Sequence, residues 1–318
     1  MRVPNYLSPT SISLFITDRE QFYLNYLADT RMSREPQTQP MSVGSAFDAF
    51  VKSTLHENIF GKGADPAYEV NTLFESQVEA HNRDWAWTHG KFVYDTYVDS
   101  GAFADFALEL ERATSEPQFE FTVESKIPHE AITGDGVPLL GKPDVSYRIN
   151  DLLIIRDWKV NGYCANRLTS PKKGYVSIRP GGKAHKDAIL SNHRHGIIEN
   201  LNHNLNDIDE SWARQLTIYA WVLGEPIGST FLAAIEQLAC SGPMNPIRVA
   251  LYSSTTCPHY QRDLYNLVGR VWKAITTGHI FDELTAEEND NKVDYLNSLA
   301  NNPTELALYK MMKPPSYF

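Results

Sequence analysis

Three charged residues stand out in the stretch GKPDVSYRINDLLIIRDWKV, Gly141 to Val160: Asp144, Asp157 and Lys159. The centre of the stretch is apolar enough for a buried strand. Residues two apart on a strand project from the same face, so Asp157 and Lys159 emerge together, with Leu153, Ile154 and Ile155 as a stiff apolar support. Asp144 follows a proline and begins the preceding strand; a hairpin can bring it alongside. Two converging carboxylates can hold a hard divalent cation through oxygen. The neighbouring ammonium can orient or help deprotonate a water, or stabilise charge on a phosphoryl group. A bare Asp-x-Lys also describes an ordinary surface ion pair. The context points to the metal site: Pro-Asp, a turn, then an apolar strand ending in Asp-Trp-Lys.

Several elements must position these groups. Ser8 or Thr10 can cap a first helix, and apolar residues from Ile12 to Tyr26 suggest one or two helices there. MSVGSAFDAFVKSTLHE has near-helical apolar spacing. Further helical regions are expected from Ala67 to Trp87 and after Gly101. The period then changes to that of strands. QFEFTVESKI, the segment after the Gly134–Gly136 turn, and DLLIIRDWKV predict a meander of three strands. Periodicity is lost from Gly162 to about Asp209, which reads as a long insertion or flexible loop. SWARQLTIYAWVLG is a helix ended by Gly224, two more strands follow, and PHYQRDLYNLVGRVWKAITTG is a long amphipathic helix. The tail suggests one short last helix. The expected fold is α/β: a central mixed sheet flanked by helices, in one domain over 1–318 with a basic insertion at about 162–209.

The chain has 318 residues, 42% of them hydrophobic, ample for a large core. It has no run of about twenty apolar residues, so no membrane partner is expected. Its start, MRVPNYLSPTS, lacks a signal pattern, and its three cysteines are scattered, with no CxxC. A reducing cytoplasm fits. The net charge of −10 argues against indiscriminate attachment to nucleic acid but not against a local basic patch. There is no GxGxxG, phosphate loop or GxSxG, so a plain metabolic enzyme has no support.

GKPDV followed by IIRDWKV resembles the core motif of the PD-(D/E)xK nuclease superfamily, in Pro143-Asp144 and Asp157-Trp158-Lys159. Three other stretches resemble the RecB-like exonuclease branch, in that branch's order: LSPTSISLFITDREQFYLNYL its amino-terminal helix, VGSAFDAFV its GxxxH helix with Asp48 in place of His, and QLTIYAWVL its QxxxY helix with Gln215 and Tyr219. The resemblance runs from about Leu7 to Leu223, except the insertion, and implies a restriction-endonuclease-like core. It implies a DNA nuclease dependent on Mg²⁺ or Mn²⁺ in a bacterial or phage-infected cell, with Asp144 and Asp157 as metal ligands and Lys159 positioning or activating the attacking water. Asp48 would be a third ligand, lowering the usual Mn²⁺ preference, since carboxylate oxygen suits Mg²⁺ at least as well as imidazole. Gln215 and Tyr219, four apart on one helix face, would complete the catalytic set. Glu124, His56 and His81 are left outside it. Asp18 and Arg19 stand where some relatives have Cys-Pro, and no carboxyl-terminal Cys trio exists, so no iron–sulfur cluster is expected.

The insertion gathers Arg167, Lys172, Lys173, Arg179, Lys183, Lys186 and Arg194, with Asp187 as the only acid from Arg167 to His195. Such cations bind phosphates without reading sequence, and Tyr175 could stack on an unpaired base. DNA, single- or double-stranded, is thus the expected partner; a homo-oligomer stays open. The motif set favours an exonuclease. The rivals are a flap or junction endonuclease on the same fold, and a non-catalytic DNA-binding protein.

Overall fold

The computed structural model describes residues 1–32, 34–119, 121–132, 134–161, 196–199, 204–239 and 248–313. Ser8 and Ser11 cap each other at the start of α1 (Pro9–Thr17). Asp18 then caps α2 (Arg19–Phe22), which widens into a π turn at Tyr23–Leu27. The long helix α3 (Gln39–Phe60) buries Val43, Phe47, Val51 and Leu55 along one face. The helical stretch expected between Ala67 and Trp87 is broken into α4 (Val70–Gln77), two short 3₁₀ turns and the start of α5 (Arg83–Asp99). α5 lies against α3 where Gly90 meets Ala46; a Cβ on Gly90 would sit 2.3 Å from the Ala46 Cβ. α6 (Ala102–Leu110) follows.

The three-strand meander is not what forms. β1 (Gln118–Phe119), β2 (Val123–Ile127), β3 (Val137–Gly141), β4 (Val145–Ile149) and β5 (Leu152–Asn161) divide between two sheets. β2 and β3 form a separate two-stranded sheet, to which Leu7 adds an isolated parallel bridge at Leu139, whereas β1 and β5 flank β4. The break falls at Lys142–Asp144, where Pro143 has no N–H to give a ladder. Residues 196–199 also depart from expectation. Inside the segment read as irregular they form β6 (Gly196–Glu199), parallel to β8 (Arg248–Ser254). The main sheet is mixed, in the order β1-β4-β5-β7-β8-β6, with β7 (Leu232–Ala239) parallel to β5.

α7 (Glu210–Val222) is capped by Asp209, which accepts hydrogen bonds from the Ser211 and Trp212 N–H groups at 2.9 and 3.0 Å. α8 (Pro258–Thr277) is the expected amphipathic helix. The tail carries two helices, not one: α9 (Ala286–Asn301), opened by a Thr285–Glu288 capping box, and α10 (Pro303–Met312). Thr-x-x-Glu before an apolar-periodic run is a readable helix start.

The sheet is covered on both faces. Ile154, Trp158, Ala234 and Leu238 pack under α3, α5 and α6. Leu153, Ile155, Ala233 and Ile235 pack under α7. The fold is therefore mixed α/β, with helices on both sides of the sheet. Among the described residues, no helix is long and apolar enough to cross a membrane.

Candidate functional site

β4 and β5 pair with Val145 opposite Arg156. One further step of that register sets Asp144 opposite Asp157. Pairing stops there because β3 and β4 part company, which leaves the Trp158 N–H without a strand partner on that side. Asp144 Oδ2 accepts it at 3.1 Å. A backbone donor exposed by a chain break is thus satisfied by the Asp144 carboxylate.

Asp157 and Lys159 project toward α7, and the residue between them anchors the strand from the other side. The Trp158 ring is buried against Phe47 and Phe106. Its Nε1–H donates to Glu236 Oε2 at 3.2 Å. The same carboxylate oxygen takes Tyr97 O–H at 2.7 Å and Arg156 Nη1 at 3.1 Å, and Arg156 Nη2 reaches Glu109 at 2.6 Å. With Trp158 and Arg156 held on one face, alternation holds Asp157 and Lys159 on the other.

Gln215 of α7 then knits the site together. Its Nε2 donates to Asp157 Oδ1 at 3.2 Å and to the Tyr219 hydroxyl at 3.0 Å, and its Oε1 accepts from Lys159 Nζ at 3.0 Å. Lys159 Nζ lies 2.6 Å from Asp157 Oδ2. Tyr219 lies beside Gly141, where a Cβ would come 3.0 Å from the Tyr219 ring and 2.6 Å from Val222. Glycine lets the β3 backbone approach this helix closely.

The electrostatics follow from burial. Asp157 is 3% exposed. Desolvation, with the nearby Asp144 charge adding to it, pushes its carboxyl up to about 6 against the pull of Lys159. Burial draws Lys159 toward its neutral form, but Asp157 and then Asp144 outweigh that, so the ammonium is held above its usual range. As an ammonium, Lys159 can position a water and stabilise negative charge. Burial, with Asp157 adding to it, keeps the Tyr219 phenol neutral.

A residue outside the sequence-derived set completes the cluster. Lys52, one turn after Asp48 on α3, is 1% exposed and sets its Nζ 2.6 Å from Asp48 Oδ2 and 3.2 Å from Asp144 Oδ1. The sequence around it, a lysine between Val51 and Leu55 with an acid four residues before it, does not by itself separate a buried lysine from an ordinary helix ion pair. Asp48 thus meets Asp144 through an ammonium.

The donor chemistry fits a hard cation. Asp157 Oδ2 is buried and faces the Lys159 ammonium at 2.6 Å as an ion pair, and Asp144 brings a second anionic group. Among the described residues, no three His, Cys, Asp or Glu side chains converge as a metal cage. Mg²⁺ does not require one, since it binds through one or two carboxylates and keeps several waters. Mn²⁺ accepts the same oxygen donors. Glu124 is exposed on β2, and His56 stacks on Tyr68 at 4.1 Å. His81 lies 3.6 Å from Glu79. Arg167, Lys172, Lys173, Tyr175, Arg179, Lys183, Lys186 and Arg194 lie outside the described residues. A cavity of about 640 Å³ near the other end of β5, lined by Phe106, Leu152, Leu232 and Leu251 among others, includes none of the site residues.

No protein-family model matches the chain, and no curated protein matches it. Among solved structures it is similar to the crystal structure of SSO0001, at 9% identity and a TM-score of 0.26, over 83% of this chain and 85% of that one. It is also similar to protein VC1899 from Vibrio cholerae, at 12% identity and a TM-score of 0.18, over 85% of this chain and 58% of that one. Likenesses this distant carry no argument about activity.

Proposed function

We propose that the chain is a divalent-metal-dependent DNA nuclease of the PD-(D/E)xK type, with a restriction-endonuclease-like core and a preference for DNA ends. The observation that carries this reading is the meeting of Asp144, Asp157, Lys159 and Gln215 at the β4–β5 fork, with Asp144 and Asp157 opposite each other and Lys159 bonded to both Asp157 and Gln215. A lone surface ion pair needs neither the buried carboxylate nor the helix amide that braces it.

In this reading Asp144 and Asp157 hold Mg²⁺ or Mn²⁺. The ion, when bound, supplies Lewis-acid stabilisation of the phosphoryl charge and a more acidic water. The remaining work belongs to the chain. Lys159, kept protonated, donates to the attacking water or to a non-bridging phosphate oxygen. Gln215 holds Asp157 and Lys159 in register through both ends of its amide. Tyr219 fixes that amide and stays neutral. Trp158 and Arg156, buried on the far face, keep the strand from rotating.

End-labelled linear DNA incubated with and without Mg²⁺ tests this directly. Release of labelled nucleotide should require the ion and fall at least ~100-fold in Lys159→Ala, the scale of a lost charge-stabilising donor. Cleavage in excess chelator, or full activity in Lys159→Ala, refutes the assignment. A covalently closed circular substrate should resist; its linearisation would assign the same site to an endonuclease.

A further inference from the structure

Lys52 does not belong to the motif that carries the functional reading, yet it is the most buried charged group of the cluster. Its side chain is 1% exposed, against 17% for Asp48 and 24% for Asp144. Its ammonium touches one oxygen of each. That position, between two carboxylates from different elements, is where a metal ion bridging them would sit. Lysine is a compact point charge with rotatable donors, so its head group can stand in for such an ion.

We propose that Lys52 is a resident cation of the site, so that the site takes one divalent ion, at Asp144 and Asp157, and not two. Asp48 then serves as the anchor of Lys52 and not as a metal ligand. The proposal rests on the metal-dependent reading above and deepens it. Geometry supports a single ion. Paired metals sit ~3.5–4 Å apart around a shared oxygen ligand, and the Asp144 oxygen that would serve the second ion is already within 3.2 Å of the ammonium. Lys52 itself is buried, at 1% exposure.

The test counts bound Mn²⁺ by electron paramagnetic resonance and calorimetry on the full chain, in salt that suppresses weak surface binding. The wild type should bind one ion. Lys52→Met, which leaves Asp48 and Asp144 without their ammonium, should bind two. The double variant Lys52→Met/Asp48→Asn should return to one. Two ions in the wild type, or one ion in Lys52→Met that circular dichroism shows to be folded, overturns the resident-cation proposal while leaving the metal-dependent reading intact. No ion in the wild type overturns both. If Lys52→Met does not fold, the wild-type count still decides, because two ions there sinks the proposal.

Discussion

Asp157→Asn should make the protein more stable at neutral pH while abolishing metal-dependent cleavage. The reasoning starts from the site's burial. The carboxyl of Asp157 moves from an ordinary value of 3.8 up to about 6, because desolvation and then Asp144 outweigh Lys159. Below the lower value, both folded and unfolded states carry the proton and the group has no effect. Between about 4 and 6, the folded state keeps a proton that the unfolded chain has released. Stability therefore falls as pH rises through that window, and the full penalty stands above it. About two pH units at ~1.4 kcal/mol each give roughly 3 kcal/mol as an upper bound. Asparagine resembles the protonated acid in size, and its carbonyl can still accept from Gln215 Nε2. Its amide faces Lys159 less favourably, so a gain of about 1–3 kcal/mol at pH 7 is expected. Urea denaturation of both proteins from pH 4 to 7.5, without divalent ions, reads this directly. The difference between the variant and the wild type should be near zero at pH 4 and largest above pH 6. Added Mg²⁺ should stabilise the wild type and not the variant. A variant no more stable than the wild type at pH 7, or a difference that does not shrink toward pH 4, refutes the account of a carboxylate held against its own solvation.

Gln215→Ala removes the amide that links Asp157, Lys159 and Tyr219; kcat on linear DNA should fall ~10–100-fold from lost alignment, with KM for DNA nearly unchanged in steady-state assays. Glu236→Ala leaves the buried Arg156 without its fully buried partner and should lower unfolding stability by about 3–5 kcal/mol, read from urea midpoints. Gly90→Ala forces a Cβ into Ala46 of α3 and should destabilise by about 1–3 kcal/mol, measured by thermal melting, with a matching loss of the α3–α5 packing signal in near-ultraviolet dichroism.

Some of the site could be read without coordinates because its rules are local. Strand alternation is enough to place Asp157 and Lys159 on one face. Helical spacing does the same for Gln215 and Tyr219, and Gly224 marks the end of their helix. The helices α3, α6, α7 and α8 and the strands β5, β7 and β8 all follow from periods of 3.6 and 2 and from their caps and turns. The α9 start was readable on the same terms, in Thr285 and Glu288.

What stayed hidden depends on partners far apart in the chain. Pro143 announces an interruption, but its neighbours cannot say that β3 leaves the sheet while β4 stays, because strand pairing is a choice among distant edges. That departure creates the fork, frees the Trp158 N–H and draws Asp144 onto it. β6 has too short a pattern to be seen until β8 supplies its ladder. Lys52 is the clearest case. Alone it is a lysine four residues after an aspartate, the spacing of any exposed helix pair. Its burial, and its sharing between Asp48 and Asp144, arise only when α3 packs on the sheet and sets its side chain beside the fork, since the cost of desolvating an ammonium is met by the anions that the fold brings to it.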